Sequence, residues 1–402
     1  MRPRSAFDRR RLLLHGIEPP AGLDPISLHL GESRLAPRGL DLTPLSELSD
    51  PDGWTRYPTP GGTSELRAAY TGWLGRRFGV RRAVADGTVE IEPTPGTKQA
   101  VAMAIVLAVA ERRDGDDPVV VMPNPSYPAY RAAAEAAGAR PVFYTPESSG
   151  DVGPIKAAVR AARGRICAIV ICNPGNPQGE ILRRAALAEA AAQAAAVRAL
   201  LLLDECYIDL ASGRTPPGFL SLVEERRIEP APFAVLHTLS KRSGAPGLRS
   251  GFLAGDPATV VSYAAHNRTC GVSTAAPVSA VAAALWADDD HVAEVRAALA
   301  RNWDLADRFL AGMPCYRRAE GGFFLWLPVD DDEKAAIRLW RDQALSVMPG
   351  RYIASEGPDG RNPGAGHLRI ALVHEETRMR EALARLSRCV DHSGPSGARE
   401  KD

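Results

Sequence analysis

The sequence predicts an α/β fold: a large domain with a mostly parallel sheet covered by helices on both faces, plus a smaller α+β domain. Three observations predict it. Short, continuously apolar segments at 119–122, 141–144, 166–172, 199–203 and 233–238 alternate with helical patterns at 129–137, 154–163 and 181–197, as buried parallel strands do. Polar residues capable of chemistry stand directly after three of those segments, where open α/β sheets bind ligands. Past about residue 289 the pattern changes to a long amphipathic helix followed by separated strands and helices.

In chain order, residues 1–30 are rich in arginine and proline and read as an arm or short helix lying across another part of the fold. Ser27 to Gly31 reads as a short strand ending in a glycine that permits close backbone approach to a ligand. The cluster Tyr57-Pro-Thr-Pro-Gly-Gly is a turn, and Thr63-Ser-Glu opens a capped helix that runs to about Phe78. Glu92-Pro-Thr-Pro-Gly96-Thr97-Lys98 reads as a second turn, feeding an apolar helix to about Arg112. A helix N-terminus of this kind presents N–H groups and a positive dipole end to an anion. After the strand–helix alternation, helices are expected at 257–267, 275–287, 291–311, 333–346 and 375–390, and strands at 315–318, 322–327 and 367–372. The division expected is 1–45 as arm and part of the small domain, 46–288 as large domain, 289–390 as small domain, and 391–402 as a disordered tail.

Bulk properties narrow the function. The chain has 402 residues, 45% hydrophobic and 24% charged, with a net charge of +1, so neither nucleic acid nor an anionic membrane is an expected partner. Six cysteines occur without a C-x-x-C pair or a histidine cluster, which argues against zinc and disulfides and for a reducing, cytoplasmic setting. The apolar run at the N-terminus, Leu12 to Leu14, is too short for a signal peptide core.

The chemistry centres on 238–252. Lys241 stands just past a buried strand, between hydroxyl residues and a glycine-punctuated turn, and Arg249 follows eight residues later. A lysine desolvated there loses basicity and becomes a nucleophile toward carbonyls. Arg249 with the hydroxyls of Thr238 and Ser240 suits a phosphate dianion. A lysine–arginine pair on such a loop is by itself an ordinary surface feature. Here the other strand ends supply the remaining needs of pyridoxal 5'-phosphate (PLP) held as a Schiff base. Asp204 is the carboxylate for the ring nitrogen, Tyr207 the phenol and Asn176 the amide near the ring's O3′, and Tyr127 a stacking partner. Gly96, Thr97 and Lys98 share the phosphate with Thr238 and Arg249. Lys241 binds the aldehyde and then shuttles the substrate proton. Arg369, inside a predicted strand, must snorkel to the surface or meet an anion.

These segments resemble the class I/II aminotransferases of the fold type I PLP enzymes over nearly the whole chain. The resemblance lies in S-K-R-S-G-A-P-G-L-R-S-G-F around Lys241, N-P-G-N-P-Q-G at Asn176, D-E-C-Y at Asp204, R-Y-P-T-P-G-G-T-S-E-L-R at Tyr57 and H-L-R-I-A-L at Arg369. It implies a homodimer in which Tyr57 contacts the partner subunit's cofactor phosphate. It also implies that Gly31, Asn176 and Arg369 take the substrate α-carboxylate. Within the class, S-K-R-S…P-G-L-R-S-G-F-L-A-G-D, D-D-D-H-V-A-E-V-R and G-G-F-F-L-W-L resemble bacterial succinyldiaminopimelate transaminases of lysine biosynthesis. The chain departs from that group at G-T-K-Q-A, P-S-Y-P-A-Y, D-E-C-Y-I-D and around 266–272.

The function expected is therefore ping-pong transamination between an amino acid, glutamate first, and a keto acid. The alternative is a PLP enzyme of secondary metabolism performing elimination, replacement or condensation. A regulatory protein with an aminotransferase-like domain is disfavoured, because too few residues precede Gly31 for a DNA-binding domain. Arg34, Arg131 and Arg268 are the candidates for reading a distal carboxylate.

Overall fold

The computed structural model describes residues 5–35, 43, 55–112, 117–147, 149–213, 215–228, 231–313, 316–357 and 359–389. The expected boundaries at 45/46 and 390/391, the tail 391–402 and Cys315 lie outside the described residues.

Seven strands form the central sheet. They are β2 (Glu90–Thr94), β3 (Pro118–Pro123), β4 (Arg140–Tyr144), β5 (Arg165–Cys172), β6 (Leu200–Asp204), β7 (Phe233–Thr238) and β8 (Gly251–Gly255), after a short β1 (Ile26–Ser27) that lies elsewhere. Their order is β2-β8-β7-β6-β5-β3-β4, with β3 to β7 mutually parallel and β8 antiparallel to both of its neighbours. The apolar runs are continuous because both faces are covered. Val119, Val121, Ile169, Ile171, Leu201, Leu203 and Val235 enter one core with Tyr70, Trp73 and Trp286. Val120, Met122, Ala168, Val170, Leu200, Leu202 and Leu236 enter the opposite core with Ile105, Tyr130 and Tyr263. A shift of one residue in register would exchange the two sets.

Register also aligns the chemistry. Cys172 pairs with Asp204, Asp204 with Leu236, and Gly251 with both Thr238 and Thr94. The ends of β5, β6, β7 and β2 therefore open at one edge of the sheet.

A second layer contains β9 (Phe324–Pro328), β11 (Met348–Pro349) and β12 (His367–Ala371) as an antiparallel sheet in the order β11-β12-β9, while β10 (Leu345–Ser346) pairs in parallel with β1. Its core joins Trp303, Phe323, Leu325, Ile370, Met379 and Leu383 with Tyr207 from the large sheet's edge. The helix Ala6–Leu13 packs Ala6 against Met348, Tyr352 and Ile353, with the Arg9 guanidinium 4.1 Å from the Tyr352 ring centroid. Among the described residues no helix is long and apolar enough to cross a membrane.

Four expectations change. The helix expected at 333–346 stops at Gln343, and Leu345–Ser346 pair with Ile26–Ser27 as β10. The turn expected at 92–96 begins as β2, an edge strand that tolerates Pro93 because one side of its backbone needs no ladder partner. The strand expected from Ser27 to Gly31 is only Ile26–Ser27; Leu28 continues it by donating to Ser346 O and accepting from Ala371 N, and the chain then loops. The described part of the strand expected at 315–318, Tyr316 to Arg318, is irregular. Tyr316 donates to Asp307 and Arg318 pairs with Asp304 and Asp307, so this segment is tied to a helix.

Candidate active site

A cavity of about 150 Å³ opens where the strand ends meet, lined by Thr97, Lys98, Tyr127, Asn176, Asp204, Cys206, Tyr207, Thr238, Ser240, Lys241, Pro246 and Arg249. Ten of these were named from sequence for one cofactor or its loop, and all ten converge.

Lys241 lies on a one-turn helix, Leu239–Arg242, that Thr238 caps at the end of β7 by accepting from Ser240 N. Its Nζ donates to Gly31 O at 2.5 Å and lies 5.4 Å from the Phe323 ring centroid. Its pKa is lowered to about 8, by burial first and by Arg369, with Cys206 and Asp204 opposing. About a tenth is thus free amine at pH 7, far more than for an ordinary lysine, and that is the form that attacks an aldehyde.

Asp204 is buried at the end of β6. Its Oδ1 accepts from Cys206 N at 3.2 Å and its Oδ2 from the Tyr130 hydroxyl at 2.6 Å. Asn176 Nδ2 lies 3.3 Å from the Tyr207 hydroxyl, placing the expected amide and phenol together. Burial raises the Tyr207 pKa and pushes that of Tyr127 up to about 12, so both stay protonated near neutrality.

At the other end of the cavity, Gly96 has φ +87°, and a Cβ there would stand 2.2 Å from Arg249 Nη2. Glycine thus lets the guanidinium lie against the turn. Arg249 is itself left-handed, φ 53°, and donates to Pro246 O at 2.9 Å and Pro95 O at 3.3 Å. With the N-terminus of helix Thr97–Ala110 and the hydroxyls of Thr238 and Ser240, this end suits a phosphate. Lys98 Nζ lies 5.9 Å from the Tyr127 ring centroid on the rim.

Arg369 is 5% exposed, with Nη1 donating to Asn176 Oδ1 at 3.3 Å and Nη2 to His29 O at 3.2 Å. Its Cζ lies 4.2 Å from the Phe324 ring centroid, and burial lowers its pKa to about 10. Nε has no hydrogen-bond partner, and no described carboxylate pairs with this cation. A buried guanidinium in that state fits an incoming carboxylate. Gly31 stands beside it, where a Cβ would come 2.7 Å from the Phe324 ring.

Not every expected residue joins the cavity. Tyr57 is fully exposed on the surface of the single chain. Arg131 is exposed and paired with Glu135, while Arg34 and Arg268 are exposed; none of the three lines the cavity. Tyr130 was missed. Its spacing of three from Tyr127 on a helix start was the available signal, since that spacing puts both on one face. Cys206 was also missed; its thiol lies 3.1 Å from Thr97 Oγ1.

Comparison with known proteins agrees with this geometry. The family model for aminotransferase class I and II matches residues 34–386. The chain is 30% identical over 369 residues to the 4-dedimethylamino-4-oxo-anhydrotetracycline transaminase of Streptomyces rimosus, covering 92% of this chain and 94% of the relative. It is 27% identical over 378 residues to the LL-diaminopimelate aminotransferase of Desulforudis audaxviator, covering 92% and 91%. An aminotransferase structure from Neisseria meningitidis superposes with a TM-score of 0.86 at 27% identity, covering 97% of this chain and 98% of that one. The chain therefore belongs to the class I and II aminotransferases, enzymes that work through pyridoxal phosphate on the fold type I scaffold.

Proposed function

We propose that this transaminase takes the amino group of an α-amino acid, glutamate first among them, and delivers it to a keto acid in a ping-pong cycle. The observation that carries the reading is Arg369: a buried guanidinium with Nε unpartnered and no described carboxylate beside it, next to a lysine of lowered pKa in a cavity that suits a phosphorylated aldehyde. When bound, pyridoxal phosphate supplies the electron sink that makes the substrate Cα proton labile. Asn176, Tyr207 and Asp204 orient the ring, and Tyr127 covers one face. Gly96, Thr97, Lys98, Thr238 and Arg249 hold the phosphate. Arg369 and Asn176, with the Gly31 backbone, hold the α-carboxylate. Lys241 Nζ, as a free amine, would take the proton from Cα and return it.

The resemblance to succinyldiaminopimelate transaminases supports the keto acid of N-succinyl-diaminopimelate as acceptor, in lysine biosynthesis in the cytoplasm. A second reading is favoured by the 30% identity to an enzyme named for an oxo-anhydrotetracycline: here the acceptor is a ring ketone of secondary metabolism, still with an amino acid as donor. Exposed Tyr57 supports a homodimer in which it reaches the partner's phosphate group.

The test is a stopped-flow half-reaction of the PLP-loaded protein with single amino acids, watching conversion to the pyridoxamine form. Succinyl-diaminopimelate and aminated ring compounds are then offered in the same assay. Glutamate is expected to convert the cofactor, and whichever second compound does so at a comparable rate identifies the other half-reaction. Elimination products without the pyridoxamine form would overturn the proposal. Lys241→Ala is expected to leave no peptide labelled by borohydride reduction, where the wild type is labelled at residue 241.

A further inference from the structure

We propose that Tyr130 is a positioning residue that sets how strongly Asp204 grips the cofactor's ring nitrogen. The inference rests on the assignment of Asp204 to that nitrogen. Tyr130 is fully buried on the helix Pro128–Ala136, and its hydroxyl meets Asp204 Oδ2 at 2.6 Å. Its backbone N–H donates to Tyr127 O at 3.1 Å, and the two rings meet edge-on at 5.8 Å between centroids. One short helix start thus links the ring-covering tyrosine to the acid.

The direction of the hydrogen bond matters. Burial and the nearby charge of Asp204 both raise the pKa of the Tyr130 phenol, so the proton stays on the phenol and the phenol donates. A carboxylate only accepts, and a donor on one oxygen stabilises it against protonation. Oδ1 takes the Cys206 N–H and Oδ2 takes Tyr130, which leaves further acceptor positions for a ring N–H. The other titratable groups acting on this corner are Tyr127, Cys172, Cys206, Tyr207 and Lys241. Of these side chains, the buried thiols are held protonated and are weak donors, and Lys241 is committed to the aldehyde. Tyr130 is the strong neutral donor at Asp204 among the described residues. Tyr130→Phe removes one oxygen and leaves the packing ring in place.

The test compares PLP with its carbocyclic analogue, in which CH replaces the ring nitrogen, as ligands of cofactor-free wild type and Tyr130→Phe. Dissociation constants come from absorbance titration. Tyr130→Phe is expected to weaken PLP about tenfold, the scale of one hydrogen bond to a charged group. It should change affinity for the analogue less than about twofold, because that ring offers Asp204 no N–H. A ¹⁵N label in the PLP ring should also report a smaller protonated fraction in the variant. Equal losses with both ligands would mean a purely structural role, and no loss with either would mean no role; both overturn the proposal. A folding defect weakens both ligands alike and so counts against it. Failure of wild type to bind PLP would instead overturn the assignment of Asp204.

Discussion

At Lys241 the burial that would free an amine for the proposed reaction destabilises the fold. The unfolded chain holds that proton up to about pH 10.5, while the folded, cofactor-free chain releases it near 8. Between those values the unfolded state binds more protons, so stability rises with pH across that window, and the cost is fully present below 8. That cost is at most about 3 kcal/mol. Lys241→Met, which keeps an apolar stem without a charge, is expected to stabilise the cofactor-free protein at pH 7 by about 1–3 kcal/mol. Urea unfolding at pH 7 and pH 10 reads this directly: the gain should shrink toward zero at the higher pH, and a constant gain would trace it to packing. Arg369 is a second buried cation whose pKa burial lowers, with Nε unpaired. Arg369→Lys keeps a charge but loses the fork, and affinity for α-carboxylates should fall about 10- to 100-fold, with little change for amines lacking the carboxylate.

Elements decide which of these residues meet. The loop from β2 to the helix Thr97–Ala110 places Gly96 against Arg249, and both adopt positive φ. Gly96→Ala puts a side chain at φ 87°, ψ 142°, a region almost reserved for glycine, at a cost of about 1–3 kcal/mol, and drives a methyl into the guanidinium. It is expected to lower Tm and weaken PLP; inorganic phosphate, which needs the same cradle, should weaken in parallel when measured by competition. Sequence alone located β3 to β7 well, because strands buried on both faces leave uninterrupted apolar runs such as 119–122 and 199–203. It missed β2 and β8. Pro93 broke the pattern of the first, and the second begins inside a glycine- and serine-rich run whose strand character comes from pairing with β7 and β2. Tertiary pairing set these two strands. Tyr130 escaped for a related reason: an aromatic on a short helix looks like core, and only the fold brings Asp204, 74 positions away, to its hydroxyl.

At the scale of the whole molecule, the single chain brings every residue expected to hold the cofactor into or beside the cavity except Tyr57, which stands fully exposed. If the proposed homodimer is right, each cavity combines Lys241 of one subunit with Tyr57 of the partner subunit. That arrangement has a consequence no single-chain enzyme shares. Lys241→Ala is expected to abolish turnover, and Tyr57→Ala to depress it at limiting PLP by weakening the phosphate site. When the two variants are unfolded together, mixed in equal amounts and refolded, about half of the dimers should be hybrids. In each hybrid one cavity carries both substitutions and the other carries neither. About a quarter of all cavities are then wild type, and at limiting PLP the mixture should exceed the mean of its two parents. Activity equal to that mean would show that Tyr57 acts within its own chain or not at all, whatever the oligomeric state.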